Sequence, residues 1–121
     1  MKILLNLFLF LTSYLYVFSQ TGNNTDSLIN LIAKSKSDTS KVNLLIKAGK
    51  SISQNDPAKS IDFANEALAL SKRLGFKKGS VLAENLLGVG YSNSGKYDTS
   101  LLHYQSSIQL AMKLMIKRVS A

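Results

Sequence analysis

The sequence predicts an all-α protein built from short helical hairpins that stack side by side. Apolar residues recur three or four positions apart through most of the chain after residue 26, which is the period of an amphipathic helix. Glycine or Asp-Pro separates the helical segments. The stretch 56–81 also resembles 96–121 at an offset of 40 residues, with Ser60 matching Ser100 and Arg73 matching Lys113. An internal repeat of helix pairs indicates a stacked architecture.

The N-terminal segment, residues 1–19, has the pattern of a secretory signal peptide. Lys2 precedes an apolar run over 3–18, and Ser19 is a small residue of the kind that signal peptidase accepts. The alternatives are an uncleaved membrane anchor and a buried helix, but the run is shorter than the roughly 20 residues of a spanning helix. We therefore expect cleavage before Gln20. The protein is then exported to the periplasm or the extracellular space, or stays membrane-anchored if the signal is retained.

The net charge and the absence of cysteine limit the kinds of binding partner and the kinds of chemistry that this chain can have. The chain after the signal has 14 basic and 7 acidic residues, a net charge of +7. This balance favours acidic proteins, anionic membrane surfaces or nucleic acid, and export argues against nucleic acid. The chain contains no cysteine, which excludes disulfides, thiolate chemistry and a lipoprotein anchor.

The remaining segments follow in order. Residues 20–25 are polar and rich in turn-forming residues, which predicts a flexible linker, and residues 26–36 predict a short leading helix. The first repeat spans 38–77, with a second helix that begins at Asp56-Pro57 because proline at the first helical position loses no hydrogen bond.

The second repeat spans 78–117, and residues 118–121 are either a tail or the start of a further repeat. No helix follows to cover the outer face of its second helix, where Leu110, Leu114 and Met115 lie. Exposure of large apolar side chains predicts marginal stability as a monomer, or self-association through this end of the molecule.

The second repeat resembles a tetratricopeptide repeat. The family pattern places Leu-Gly and Tyr on a first helix, glycine and an aromatic residue at the turn, and small or aromatic residues on a second helix. The matching residues here are Leu87-Gly88, Tyr91, Gly95, Tyr97, Ser100, Tyr104 and Ser107. Glu84 stands where the family often has Trp, and the two serines stand where Ala is usual, which is expected to weaken the packing.

The resemblance implies a short right-handed solenoid of helical hairpins, similar to the repeat region at the N-terminus of exported bacterial sensor histidine kinases or regulators. It implies a non-catalytic module that binds a protein or peptide in a concave groove lined by the first helix of each pair. The groove positions here are Asn43, Ile46, Lys50, Ser53, Leu82, Asn85, Val89 and Ser92. Asn85 is the most favourable contact, because an amide both donates to and accepts from a peptide backbone. The alternative is a polar surface that binds nothing.

Basic residues recur at the end of the second helix of each repeat. They are Lys72, Arg73, Lys77, Lys78, Lys113, Lys117 and Arg118. Stacking would place them on one edge of the molecule, which predicts an alternative function as a charge-driven binder of anionic surfaces, lipid or nucleic acid. The competing interpretation is that these residues complement helix dipoles and keep the surface soluble. An uncleaved signal segment or this basic edge would be the only link to a membrane.

No residue pattern indicates an enzyme, a cofactor site or a metal site. His103 is the single histidine, and its apolar neighbours in the sequence predict a partly buried structural role. Gly88 and Gly90 lie inside a predicted helix, whereas a phosphate-binding loop follows a strand, so they are interpreted as helix-packing residues.

Overall fold

The computed structural model describes residues 2–120, except for the side chains of residues 13–23, and every regular element in that part of the chain is an α-helix. The helices are α1 (Lys2–Lys34), α2 (Thr39–Ile52), α3 (Pro57–Leu74), α4 (Lys77–Asn93) and α5 (Tyr97–Ser120). Helices α2 and α3 form the first hairpin, and α4 and α5 form the second. The predicted all-α class is confirmed.

Helix α1 is continuous from the N-terminal segment into the leading helix. It passes through the predicted linker, residues 20–25, and ends at Lys34. The side chains around the expected cleavage site lie outside the described residues, so the signal peptide and the linker stay predictions. Among the described residues, no helix combines the length and mean hydropathy that a membrane span requires.

Local sequence signals set the ends of the middle helices. Asp38 and Asp56 are N-caps whose carboxylates accept backbone N–H bonds three residues on, and Pro57 occupies the first turn of α3. Helix α3 ends at Leu74 and is capped by Gly75, which has φ +65°, and the turn before α5 contains Gly95 with φ +76°. Both positions need the left-handed backbone region that glycine adopts without a steric cost.

Consecutive helices pack antiparallel, and the first helices of the two hairpins lie side by side. In the second hairpin, Val81 contacts Ser107 near one end and Gly88 contacts Ser100 near the other. Between the hairpins, a Cβ atom built on Gly90 of α4 would lie only 2.6 Å from Cγ1 of Ile61 on α3. Helices α2 and α4 also contact each other directly, and α1 packs on α2.

Serine hydroxyls join the two helices of each hairpin at matching positions. Ser60 donates to the carbonyl oxygen of Gly49 at 2.8 Å, and Ser100 donates to that of Gly88 at 2.6 Å. Ser107 adds a third bond, to the carbonyl oxygen of Val81 at 2.9 Å. Each hydroxyl of Ser100 and Ser107 thus finds a buried or part-buried acceptor on the facing helix, so burial leaves neither group without a partner.

The core lies between the hairpins and beneath the last turns of α1. Its buried apolar residues are Ile32, Val42, Leu45, Ile46, Ala48, Ala64, Ala67, Leu70, Ala83, Leu86 and Leu87. None of them comes from α5, whose buried residues are Ser100 and Ser107. Helix α5 therefore packs on α4 through Ser100, Ser107 and the ring of Tyr104, and it leaves most of its apolar residues outside the core.

Candidate interaction surfaces

The predicted groove lies along α2 and α4, and only some of its residues are accessible to solvent. The two helices meet where Gly49 of α2 faces Leu86 of α4, and the Nδ2 atom of Asn93 donates to the carbonyl oxygen of Ser53 at 2.8 Å. Of the eight groove positions, Asn43, Lys50 and Asn85 are exposed, Leu82, Val89 and Ser92 are half-buried, and Ile46 and Ser53 are buried.

Two groove residues belong to the packing rather than to an open surface. Ile46 is 4% exposed and lies within the core cluster. The hydroxyl of Ser53 donates to the carbonyl oxygen of Lys50 at 3.1 Å in its own helix. A ligand cannot reach the side chain of Ile46, and the most exposed residues of this face are the polar Asn43, Lys50 and Asn85.

All seven residues of the predicted basic edge are exposed, but only three of them surround a common depression. Lys78 at the start of α4 faces Lys117 and Arg118 near the end of α5 across a space of about 580 Å³. Leu114 and Met115 line the same space. The depression therefore combines three cationic groups with an apolar wall.

Arg73 lies apart from this depression. It lines a separate depression between α2 and α3, together with Lys41 and Glu66. The Nζ atom of Lys41 is 4.0 Å from Oε1 of Glu66, so a carboxylate lies within this second group. Arg73 thus lies outside the depression in which Lys78 faces Lys117 and Arg118.

The outer face of α5 carries a line of exposed apolar side chains. Leu110 and Leu114, which were expected to be uncovered, are half-buried, whereas Met115 is exposed. The exposed line lies on nearly the opposite side of α5 from Leu110 and Leu114. We call it the α5 stripe; each of its members is more than half exposed, and they are Leu101, Ile108, Met112, Met115 and Val119.

A buried carboxylate and a histidine pair across α4 and α5. Oε2 of Glu84 lies 2.7 Å from Nδ1 of His103, and the Glu84 side chain is only 10% exposed. An ionised carboxylate only accepts hydrogen bonds, so Nδ1 of His103 is the donor. The ring of Tyr91 stacks on that of His103 with centroids 5.2 Å apart and planes 2° from parallel. The predicted partial burial of His103 is confirmed, and its partners fix the ring from two sides.

The sequence analysis missed this pair, although the internal repeat contained a signal for it. Glu84 and His103 correspond to Leu45 and Phe63 of the first hairpin, at offsets of 39 and 40 residues. Both of those residues contribute to the core or pack against it. Two polar residues at positions that are apolar in the other repeat indicate a pair, because an isolated buried charge is strongly unfavourable.

The glycines of α4 have packing roles. A Cβ atom at Gly88 would lie 2.7 Å from the ring of Tyr104, and one at Gly90 would meet Ile61. These contacts confirm the interpretation of both glycines as helix-packing residues. Among the described residues, no three His, Cys, Asp or Glu side chains are grouped as a metal site would require.

Comparison of the chain with protein-family models, with curated proteins and with solved structures finds no match.

Proposed function

We propose that this protein is a non-catalytic protein- or peptide-interaction module of the tetratricopeptide type, exported as part of a bacterial signalling system. The observation that carries the proposal is that one hairpin geometry occurs twice. Ser60 with Gly49 and Ser100 with Gly88 make the same interhelical bond at matching positions. Stacked copies of one hairpin are the basis of solenoids, whose extended faces serve to bind other proteins.

The accessible groove face supplies the groups for such binding. Asn43, Lys50 and Asn85 are exposed on the two adjacent first helices. Asparagine offers both donors and acceptors to a peptide backbone, and Lys50 offers a positive charge to an acidic side chain. The proposed ligand on this face is a polar peptide segment.

The test is affinity capture from an envelope extract of the source organism, with the captured proteins identified by mass spectrometry. Asn85→Ala is expected to reduce the recovery of a specific partner several-fold, and the reduction should persist at moderate salt because the contact is a hydrogen bond. Asn65→Ala is the matched control, since Asn65 is an exposed asparagine on α3. Equal recovery with both variants and the unaltered protein would refute the groove as the binding face.

A second function, binding to anionic surfaces, is favoured by the depression at the α4–α5 end. Lys78, Lys117 and Arg118 bring positive charge from two helices to one place, next to Leu114 and Met115. Such a combination suits the interface of an anionic bilayer, where charge and apolar contact both contribute.

Vesicle flotation separates this function from groove binding. The protein should bind vesicles rich in phosphatidylglycerol at low salt and dissociate as salt rises. Charge reversal at Lys77, Lys78, Lys117 and Arg118 should abolish that binding, and reversal of Lys47 and Lys50 on α2 should leave it intact. Equal binding to neutral vesicles would exclude an electrostatic mechanism.

A further inference from the structure

The antiparallel packing of the helices brings two internal turns and the last turns of α5 to one end of the molecule. Ser37, in the turn between α1 and α2, lines the same depression as Arg73 near the end of α3. At the same end, Lys78 in the first turn of α4 faces Lys117 of α5. We call this region the basic end, and it consists of residues 34–41, 72–78 and 113–118.

The basic end contains most of the positive charge of the chain. Its three stretches include ten of the 15 lysine and arginine residues, and their only carboxylate is Asp38. The Asp38 side chain accepts the backbone N–H of Lys41 at 3.2 Å as the N-cap of α2. The opposite end, residues 50–59 and 93–98, has three lysines and two aspartates. The charge is therefore strongly unequal between the two ends of the helices.

Helix dipoles do not account for this distribution. Lys72 and Arg73 lie in the last turn of α3, where a positive charge complements the dipole. Lys77 and Lys78 lie in the first turn of α4, where the dipole disfavours a positive charge. That turn has no acidic residue, and its N-cap, Phe76, makes no side-chain hydrogen bond to it. An anionic partner would complement both the two lysines and the start of α4.

The composition of the basic end favours an anionic bilayer as that partner. Exposed apolar side chains lie among the cations, since Leu74 next to Arg73 is 42% exposed and Ile116 next to Lys117 is 65% exposed. The interface of a bilayer accepts apolar side chains and attracts basic residues at the same time. The only aromatic residue in the three stretches, Phe76, is half-buried and packs against the core, so the basic end offers no exposed ring for stacking on a nucleic-acid base.

The arrangement of the charges also suits a flat surface. The cations are spread over both turns and the end of α5, and they do not converge on a single cleft. A layer of lipid headgroups presents many negative charges in one plane, so it can meet all three stretches together.

We propose that the basic end docks on an anionic lipid bilayer, with the helix axes steep to the membrane and Leu74 at the level of the headgroups. This inference rests on the proposed binding to anionic surfaces, and it extends the contact from the depression between α4 and α5 to both internal turns. The α2–α4 face runs along the sides of the helices, so in this orientation it stays open to a peptide.

The experiment measures partition of the full chain into vesicles of phosphatidylglycerol and phosphatidylcholine. Lys34, Lys36 and Lys72 are exposed and lie outside the depression lined by Lys78. Their simultaneous replacement by Gln should weaken partition about tenfold or more at low salt, because each removes a charge close to the headgroups. Vesicles of phosphatidylcholine alone give the baseline, since the apolar run at 3–18 can bind any bilayer.

A matched variant carries the same change of charge at the opposite end. Lys50, Lys59 and Lys96 are exposed there, and their replacement by Gln should change partition by less than about twofold. Circular dichroism verifies that both triple variants are folded.

A fluorescent label tests the orientation on the membrane. The chain has no cysteine, so a polarity-sensitive fluorophore can be attached at a single introduced position. The emission should shift to shorter wavelengths on anionic vesicles for the label at Leu74→Cys. It should stay unchanged for the label at Asn55→Cys, an exposed position at the opposite end.

Equal effects of the two triple variants, or an emission shift at Asn55→Cys without one at Leu74→Cys, would overturn the inference. Partition that depends on Lys78, Lys117 and Arg118 but not on Lys34, Lys36 and Lys72 would leave the proposed binding to anionic surfaces in place and remove only this extension. An absence of binding to anionic vesicles above the neutral baseline would refute both. If an acidic peptide or an oligonucleotide binds the basic end while vesicles do not, the partner is a soluble polyanion and the proposal is wrong.

Discussion

Replacement of His103 by Phe is expected to destabilise the protein, because it removes the hydrogen-bond donor that faces Glu84. The two groups are 2.7 Å apart, and their side chains are 28% and 10% exposed respectively. A hydrogen bond to a charged group contributes about 1.5–3 kcal/mol. Since His103 still contacts solvent, we expect a loss of about 2–3 kcal/mol.

Two further variants, Glu84→Leu and the double replacement, are needed to measure the interaction energy between Glu84 and His103. Glu84→Leu alone should cost only about 1 kcal/mol, because water can reach the His103 ring that remains. The double variant, Glu84→Leu with His103→Phe, installs the residue types of Leu45 and Phe63 at the same positions of the second hairpin. Its stability should return to within about 1 kcal/mol of the unaltered protein, since replacing both partners of a hydrogen bond by apolar groups of similar shape can be nearly neutral.

The assay is urea unfolding followed by circular dichroism, evaluated as a double-mutant cycle. The coupling energy should exceed about 1.5 kcal/mol, and the midpoint temperature of His103→Phe should fall by roughly 10–20 °C for a domain of this size. A coupling energy below about 0.5 kcal/mol, or a His103→Phe variant as stable as the unaltered protein, would refute the assignment of this pair as a stabilising contact.

Three further predictions concern packing and processing. Ser60→Ala and Ser100→Ala should each reduce the free energy of unfolding by about 1 kcal/mol, and clearly unequal losses would argue against equivalent hairpins. Gly88→Leu should cost at least about 1–3 kcal/mol by displacing Tyr104, as measured by the same unfolding assay, and unchanged stability would show that the two helices are not in close contact there. N-terminal sequencing of the secreted protein should begin at Gln20, whereas a chain that begins at Met1 would contradict signal cleavage.

The sequence was sufficient to predict the elements that depend on local chemistry. Asp56 and Pro57 set the start of α3, and Gly75 sets its end, because a side-chain acceptor, a missing amide hydrogen and a left-handed backbone each act within a few residues. The alignment of the two repeats could also be predicted from the sequence. Gly49 and Gly88 each face a serine, and the two serines were aligned at the 40-residue offset.

The candidate surfaces were less predictable, because the coverage of a helix face depends on neighbouring helices. Spacing placed Ile46 and Asn85 on corresponding faces of α2 and α4, yet Ile46 is in the core and Asn85 is exposed. Likewise, the uncovered face of α5 was predicted at Leu110 and Leu114, whereas the exposed residues Ile108 and Met112 lie on nearly the opposite side of the helix. Both sides of α5 carry apolar residues, so the helical pattern alone does not show which side packs on α4.

Site-resolved NMR during titration with a peptide from the captured partner tests most directly whether this protein binds polar peptides through the α2–α4 face. We expect the amide shifts of Asn43, Lys50 and Asn85 to change, while those of Asn65 on α3 stay unperturbed. Shift changes confined to other helices, or an absence of changes at saturating peptide, would contradict the proposed function.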